Sequence, residues 1–139
     1  MPEQQWFHHE MVPTNDAIVG ARFGFEAWLR EQRVGAEARE DLAVVLSELG
    51  ANAVAAAAGS DERIRVQAWR DGTAIVVEVE NAAASGPGGV VFHSEQDPLR
   101  GYGQGLLIVT AYTDSVEVIP PQGQGGLVVR CRKEIEVLA

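Results

Sequence analysis

The chain has 139 residues, of which 46% are hydrophobic and 22% charged, and its formal net charge is −9. This length fits one fold with its own core, so we expect residues 1–139 to form a single domain. A chain this acidic is a poor candidate for direct binding to nucleic acid, and it has no apolar run near the roughly 20 residues that a membrane helix needs.

The first half of the chain is predicted to form one strand and two helices. The segment QWFHHEMV alternates weakly and favours a first strand. It lacks the pattern of a signal peptide, which together with a single cysteine indicates the cytoplasm. A cap cluster at Thr14, Asn15 and Asp16 precedes apolar residues at helical spacing, which predicts a helix that ends at Gly35. A second helix is predicted over about residues 36–57.

The second half changes to the period-2 pattern of strands. RIRVQAW and AIVVEVE predict two strands joined by a turn at Asp71 and Gly72. A glycine-rich, loop-like segment follows, and a loop this long in a compact domain is usually functional. A short helix, GLLIVTAY, and a final hairpin of SVEVIP and LVVRCRKEI complete the order. We therefore expect an α+β fold: a two-layer sandwich with a mixed, mostly antiparallel sheet and helices packed on one face.

Three polar features follow one another along this pattern. Glu48 and Asn52 lie four residues apart in the second predicted helix, so both project from one face. Asn81 ends the strand VVEVEN. Arg100 begins the run RGYGQGLLIV, which is rich in glycine and opens a helix, an arrangement that can receive a phosphate group. The three histidines of the chain form no metal-binding pattern.

Together these segments resemble the GHKL ATP-binding (Bergerat) fold, the ATPase module of gyrase and histidine kinases. The chain is most similar to the stand-alone anti-sigma-factor serine/threonine kinases of actinobacteria, with VLSELGANAV as the N-box, VEVEN leading into the adenine box and GYGQGLLIV as the last glycine box. The resemblance implies ATP and Mg²⁺ as cofactors, Asn52 as the metal ligand, Glu48 as the general base, and residues 82–99 as the ATP lid. The residues implied to hold the nucleotide are Asn52, Asn81, Arg100, Gly101, Gly103, Gln104, Gly105 and Leu106.

The resemblance also implies protein partners. Members of this family bind a sigma factor, phosphorylate a small anti-sigma antagonist on serine or threonine, and commonly form homodimers. This chain departs from the family at the adenine box, where most relatives carry Asp-x-Gly-x-Gly and this sequence has Asn81, Ala82 and Ala83. That departure motivates a second hypothesis, a catalytically inactive protein-binding module with weak or no ATP binding. A third is a nucleotide-binding accessory subunit of another system, such as a small-GTPase operon.

Each of these residues also has a purely structural interpretation. Glu48 and Asn52 would then be solvated residues at the rim of a helix, and the glycines ordinary turn residues. Asn81 would be a residue that ends a strand, and Arg100 a solvated loop charge.

Overall fold

The computed structural model describes residues 5–57, 62–81, 104–120 and 126–136. All eight predicted elements are present in the predicted order. The strands and helices are β1 (Trp6–Met11), α1 (Asn15–Glu31), α2 (Ala36–Ala56), β2 (Ile64–Asp71), β3 (Ala74–Asn81), α3 (Gln104–Tyr112), β4 (Ser115–Ile119) and β5 (Leu127–Glu134).

The five strands form one sheet in the order β1-β2-β3-β5-β4, and each described pairing is antiparallel. Alternate residues of the central strands, such as Val66 and Val77, are fully buried in one core with the helices. Their neighbours on the opposite face, Glu78 and Arg130, form an ion pair instead. This period-2 division between a core face and a polar face confirms the predicted α+β sandwich.

The helical layer has a close contact between α1 and α2. A methyl group added at Gly50 of α2 would lie 3.3 Å from the Ile18 side chain of α1. At the other end of α1, the rings of Phe25 and Trp28 are stacked with their centroids 6.1 Å apart, and Phe7 of β1 packs on both. The α1 helix is thus held against both its neighbouring helix and the edge strand.

Two predicted boundaries are wrong by a few residues. Helix α1 ends at Glu31 and not at Gly35, because Arg33 takes a left-handed backbone with φ of 62° and Gly35 is already the N-cap of α2. The first hairpin turn lies one residue later than predicted, because Asp71 still pairs with Ala74. The turn residues are therefore Gly72, whose φ is 62°, and Thr73, as expected where glycine occupies the first turn position.

The longest helix of the described residues carries the predicted N-box. Helix α2 buries Leu42, Val45, Leu46 and Leu49 in the core and packs along both α1 and α3. Helix α3 contributes the fully buried Leu106 and Val109. None of the helices in the described ranges is both long and apolar enough to cross a membrane.

Candidate functional site

The two polar residues of α2 lie at the edge of its buried stripe, as their spacing predicts. Glu48 and Asn52 are each half-buried, whereas the adjacent Leu49 and Ala53 are buried. Four residues make slightly more than one helical turn, so the carboxylate and the amide are stacked along one face. The helix therefore presents both groups at the margin of the core.

A small cavity opens where α2 meets the sheet. Its volume is about 20 Å³, which is close to the space that one water molecule needs. Apolar side chains make up its walls except at two amides, Asn52 and Asn81. The lining residues are Leu49, Asn52, Ala53 and Ala56 of α2, Val79 and Asn81 of β3, and Leu127 and Val129 of β5.

Asn81 is the last residue of β3 and is 3% exposed. Its Nδ2 donates a hydrogen bond to the backbone oxygen of Ala53 at 2.7 Å. In the sheet it lies between Ile64 of β2 and Leu127 of β5. A solvated residue that merely ends a strand would not be buried and bonded in this way, so Asn81 belongs to the walls of the cavity.

Asn52 has a different environment. Its Nδ2 atom is buried and has no hydrogen-bond partner within the part of the chain that the structure describes. An unpaired buried donor costs about 1–3 kcal/mol, and such groups are rare enough in folded proteins that each needs a cause. A polar ligand in the adjacent cavity would satisfy this amide.

The donor set of this region fits the group that the resemblance implies. Mg²⁺ prefers oxygen ligands and is usually held by one or two protein groups together with phosphates and water. Asn52 offers an amide oxygen, and Glu48 offers a carboxylate one turn earlier on the same helix. The cavity beside them has apolar walls, but its volume of about 20 Å³ is too small to enclose a planar base. The donor groups present are therefore compatible with Mg²⁺ and phosphate, whereas the cavity supplies only the inner wall of a base site.

The predicted phosphate segment is described only in part. Gln104 and Gly105 are the first described residues of α3. The first backbone N–H groups of any helix have no partner within the helix and can receive an anion. Leu106 is fully buried in the core, so its side chain has a structural role and only its backbone could face a phosphate. The predicted residues Arg100, Gly101 and Gly103 and the predicted lid, residues 82–99, lie outside the described residues.

Sequence reasoning missed the wall that β5 contributes to the cavity. Leu127 and Val129 alternate correctly for a core-facing strand, but the pattern alone does not show that β5 lies beside β3. It also missed the contact between Asn81 and Ala53, because these residues are 28 positions apart. Neither feature has a local sequence signal.

Comparison with known protein families places the chain in one of them. Residues 11–133 match the family described as the histidine kinase-like ATPase domain, and the chain belongs to this family. No curated protein matches it significantly.

Two of the solved structures that share this fold illustrate the likeness. One is the RsbU and RsbW domains of Rv1364c from Mycobacterium tuberculosis, with a TM-score of 0.68 and 19% identity over 94% of this chain. The present chain spans only 32% of the chain in that structure. The other is a chain of the SiaB–SiaC complex from Pseudomonas aeruginosa, with a TM-score of 0.66 and 15% identity, covering 94% of this chain and 91% of that one. These likenesses confirm the GHKL-type fold that the motifs imply.

Proposed function

We propose that this protein is an ATP-binding regulator of the anti-sigma-factor serine/threonine kinase type, which binds a sigma factor, phosphorylates an anti-sigma antagonist, or does both. The observation that carries the proposal is the buried Asn52 Nδ2, a hydrogen-bond donor with no partner among the described residues, beside a cavity bounded by Asn81. Membership of the histidine kinase-like ATPase family supports it. So does the likeness to a structure that contains an RsbW domain. A single domain over residues 1–139 and a cytoplasmic location belong to the same proposal.

The proposed roles follow the chemistry of each group. Asn52 would hold Mg²⁺, which when bound neutralises charge on the nucleotide phosphates. Glu48 would accept the proton of a serine or threonine hydroxyl on the partner protein, because a carboxylate within reach of that hydroxyl can act as a general base. Asn81 would contact adenine from the inner end of the cavity. Residues 100–106 would offer backbone N–H groups to the phosphates.

A protein-binding module without catalysis is the second candidate, and two observations favour it. The cavity of about 20 Å³ has room for about one water and not for a base. Helix α1 exposes Phe23 and Val19 one turn apart, with Phe23 73% exposed. Contiguous exposed apolar surface marks the sites where many proteins bind a partner, and these two side chains are neighbours on α1. A second copy of this chain, forming a homodimer, is one such partner.

A pair of variants separates these candidates. If the proposal is correct, millimolar ATP with Mg²⁺ raises the melting temperature of the wild type and of Glu48→Gln, but not of Asn52→Ala. Phosphate transfer from labelled ATP to a protein that co-purifies from the native host is then lost in Glu48→Gln even though that variant keeps its nucleotide. A folded wild type whose melting temperature does not respond to nucleotide would contradict ATP binding and favour the protein-binding module.

A further inference from the structure

The first strand lies at one edge of the sheet. Among the described strands β1 pairs only with β2, so its other side presents backbone N–H and C=O groups to solvent. The strand is already held in place, because the Phe7 ring packs on Phe25 and Trp28 of α1 with ring centroids 5.6 and 6.2 Å away. A partner strand could therefore add to this edge without first having to order it.

Two large apolar side chains are exposed along this strand. Trp6 begins β1 and is 50% exposed, although its ring stacks on Trp69 of β2 with the centroids 4.9 Å apart. Val12 directly follows β1 and is 44% exposed. The exposed His8 and Glu10 lie between them at the same alternation, on the face of the strand that points away from the helices. This face of β1 therefore carries an apolar residue at each end and a polar pair in the middle.

The order of these residues is self-complementary. If β1 pairs antiparallel with a copy of itself about a two-fold axis at His9, residues at equal distances before and after His9 lie opposite one another. Trp6 then lies opposite Val12 of the second copy, and His8 lies opposite Glu10. Each pair occurs twice by symmetry. An imidazole N–H can donate to a carboxylate, so the pairing joins apolar to apolar and donor to acceptor.

Other symmetric pairings are less favourable. An axis at His8 would set Glu10 against Trp6 and each His8 against its own copy, so that no carboxylate meets a donor side chain across the interface. In the described sheet the other edge strand is β4, whose central residue is Glu117. Pairing the whole of β4 with its copy would set Glu117 opposite itself, and like charges directly opposite are destabilising. The charges therefore favour β1 with its axis at His9.

We propose that β1 is a homodimer interface, at which two copies of this chain join their sheets antiparallel about a two-fold axis at His9. The sheets of the two copies are then continuous, and both helical layers lie on the same side of them. This inference does not depend on nucleotide binding. It assigns the second copy to the edge of the sheet and not to the exposed Phe23 of α1, so the two surfaces can be tested separately.

The first test is sedimentation of the nucleotide-free protein between about 1 and 200 μM, the range suited to a small interface. The buffer contains about 0.15 M salt, which screens the repulsion between copies of net charge −9 beyond about 8 Å. We expect a dimer that forms as concentration rises. His8→Glu should raise its dissociation constant about tenfold, because the two-fold axis then opposes carboxylates at two places. A wild type that stays monomeric throughout would overturn the inference.

Phe23→Ser is the matched control, since it removes an exposed apolar side chain from α1 and not from β1. His8 and Phe23 are both exposed, so neither substitution should unfold the chain, and circular dichroism checks this. The control should dimerise as the wild type does. A dimer that is weakened by Phe23→Ser and not by His8→Glu would place the interface on α1 and contradict the proposal.

Disulfide cross-linking tests the pairing itself. Residues directly opposite in an antiparallel pair have Cα atoms about 4.5–5.5 Å apart, which a disulfide can span. We expect His9→Cys to link to its own copy, and His8→Cys to link to Glu10→Cys when these two variants are mixed and oxidised. Cys131 is 1% exposed and should take no part. If His8→Cys links to itself and His9→Cys does not, the axis at His9 is wrong; if none of the variants links, β1 is not the interface. Because no nucleotide is present, either failure leaves the proposed function untouched.

Discussion

Replacing Asn52 with alanine should stabilise the nucleotide-free protein. Its Nδ2 atom is buried and has no hydrogen-bond partner in the described ranges, so the side chain costs stability unless a ligand occupies the site. Removing this unpaired buried donor should raise the free energy of unfolding by about 1 kcal/mol. This is the low end of the usual range, because Asn52 is only half-buried. Alanine is also better than asparagine inside a helix by about 0.6 kcal/mol.

A smaller loss offsets these gains. Shortening the side chain removes the buried contacts of about one carbon atom, which lowers the free energy of unfolding by about 0.8 kcal/mol. The net expectation is a stabilisation of about 1 kcal/mol, or about 4 °C in melting temperature for a domain of this size. The sign matters more than the size, because substitutions at half-buried sites usually destabilise.

The assay is urea unfolding followed by circular dichroism, with Asn15→Ala as the control. Asn15 is exposed at the start of α1, so its replacement relieves no buried donor and should change stability by about 0.5 kcal/mol or less. If Asn52→Ala lowers the free energy of unfolding by more than about 1 kcal/mol, the amide makes structural hydrogen bonds in the folded protein, and the reasoning that a ligand would satisfy it is refuted.

Three further predictions test the fold. Phe25→Ala should lower the free energy of unfolding by about 3–5 kcal/mol because Phe25 is fully buried, whereas Phe23→Ala should lower it by less than about 0.5 kcal/mol because Phe23 is 73% exposed. Equal losses for the two variants in urea unfolding would contradict the orientation of α1. Gly20→Ala should gain about 1 kcal/mol of helix stability, since an added methyl group there meets no atom within 4 Å. Gly50→Ala should give no such gain or should destabilise the protein, since its methyl group would lie only 3.3 Å from the Ile18 side chain of α1. An equal rise in melting temperature for both variants would refute the close packing of α1 on α2. Burial raises the pKa of the Cys131 thiol to about 12, so the thiol should stay neutral at pH 8 and react with a disulfide reagent only as fast as the protein unfolds. The free energy of unfolding should also fall as pH rises above about 9, because the thiol of the unfolded chain loses its proton there while the folded one keeps it. A fast reaction of the folded protein with the reagent would contradict the burial.

The elements and the N-box could be predicted because their signals are local. The spacing of Glu48 and Asn52 against Leu46 and Leu49 determines which face of a helix each occupies, whatever the rest of the chain does. The end of α1 was less predictable, because Arg33 takes a left-handed conformation that more often belongs to glycine. The sequence pattern placed the stop at the nearby Gly35 instead.

The interior of the site could not be predicted because its contacts are non-local. Asn81 read equally well as a residue that ends a strand, and its burial depends on α2, which precedes it by some 28 residues along the chain. The apolar wall from Leu127 depends on β5 pairing with β3 and not with β4 alone. Such contacts follow from the order of strands in the sheet, which hydrophobic periodicity does not encode.

The most direct test of the central claim is calorimetric titration of ATP into the wild type and into Asn52→Ala, each with and without Mg²⁺. The account predicts binding to the wild type that depends on Mg²⁺ and that is lost in the variant, although the variant is at least as stable. Equal binding to both proteins would remove Asn52 from the site. No binding to the folded wild type would contradict ATP binding itself and leave the chain as a protein-binding member of its family.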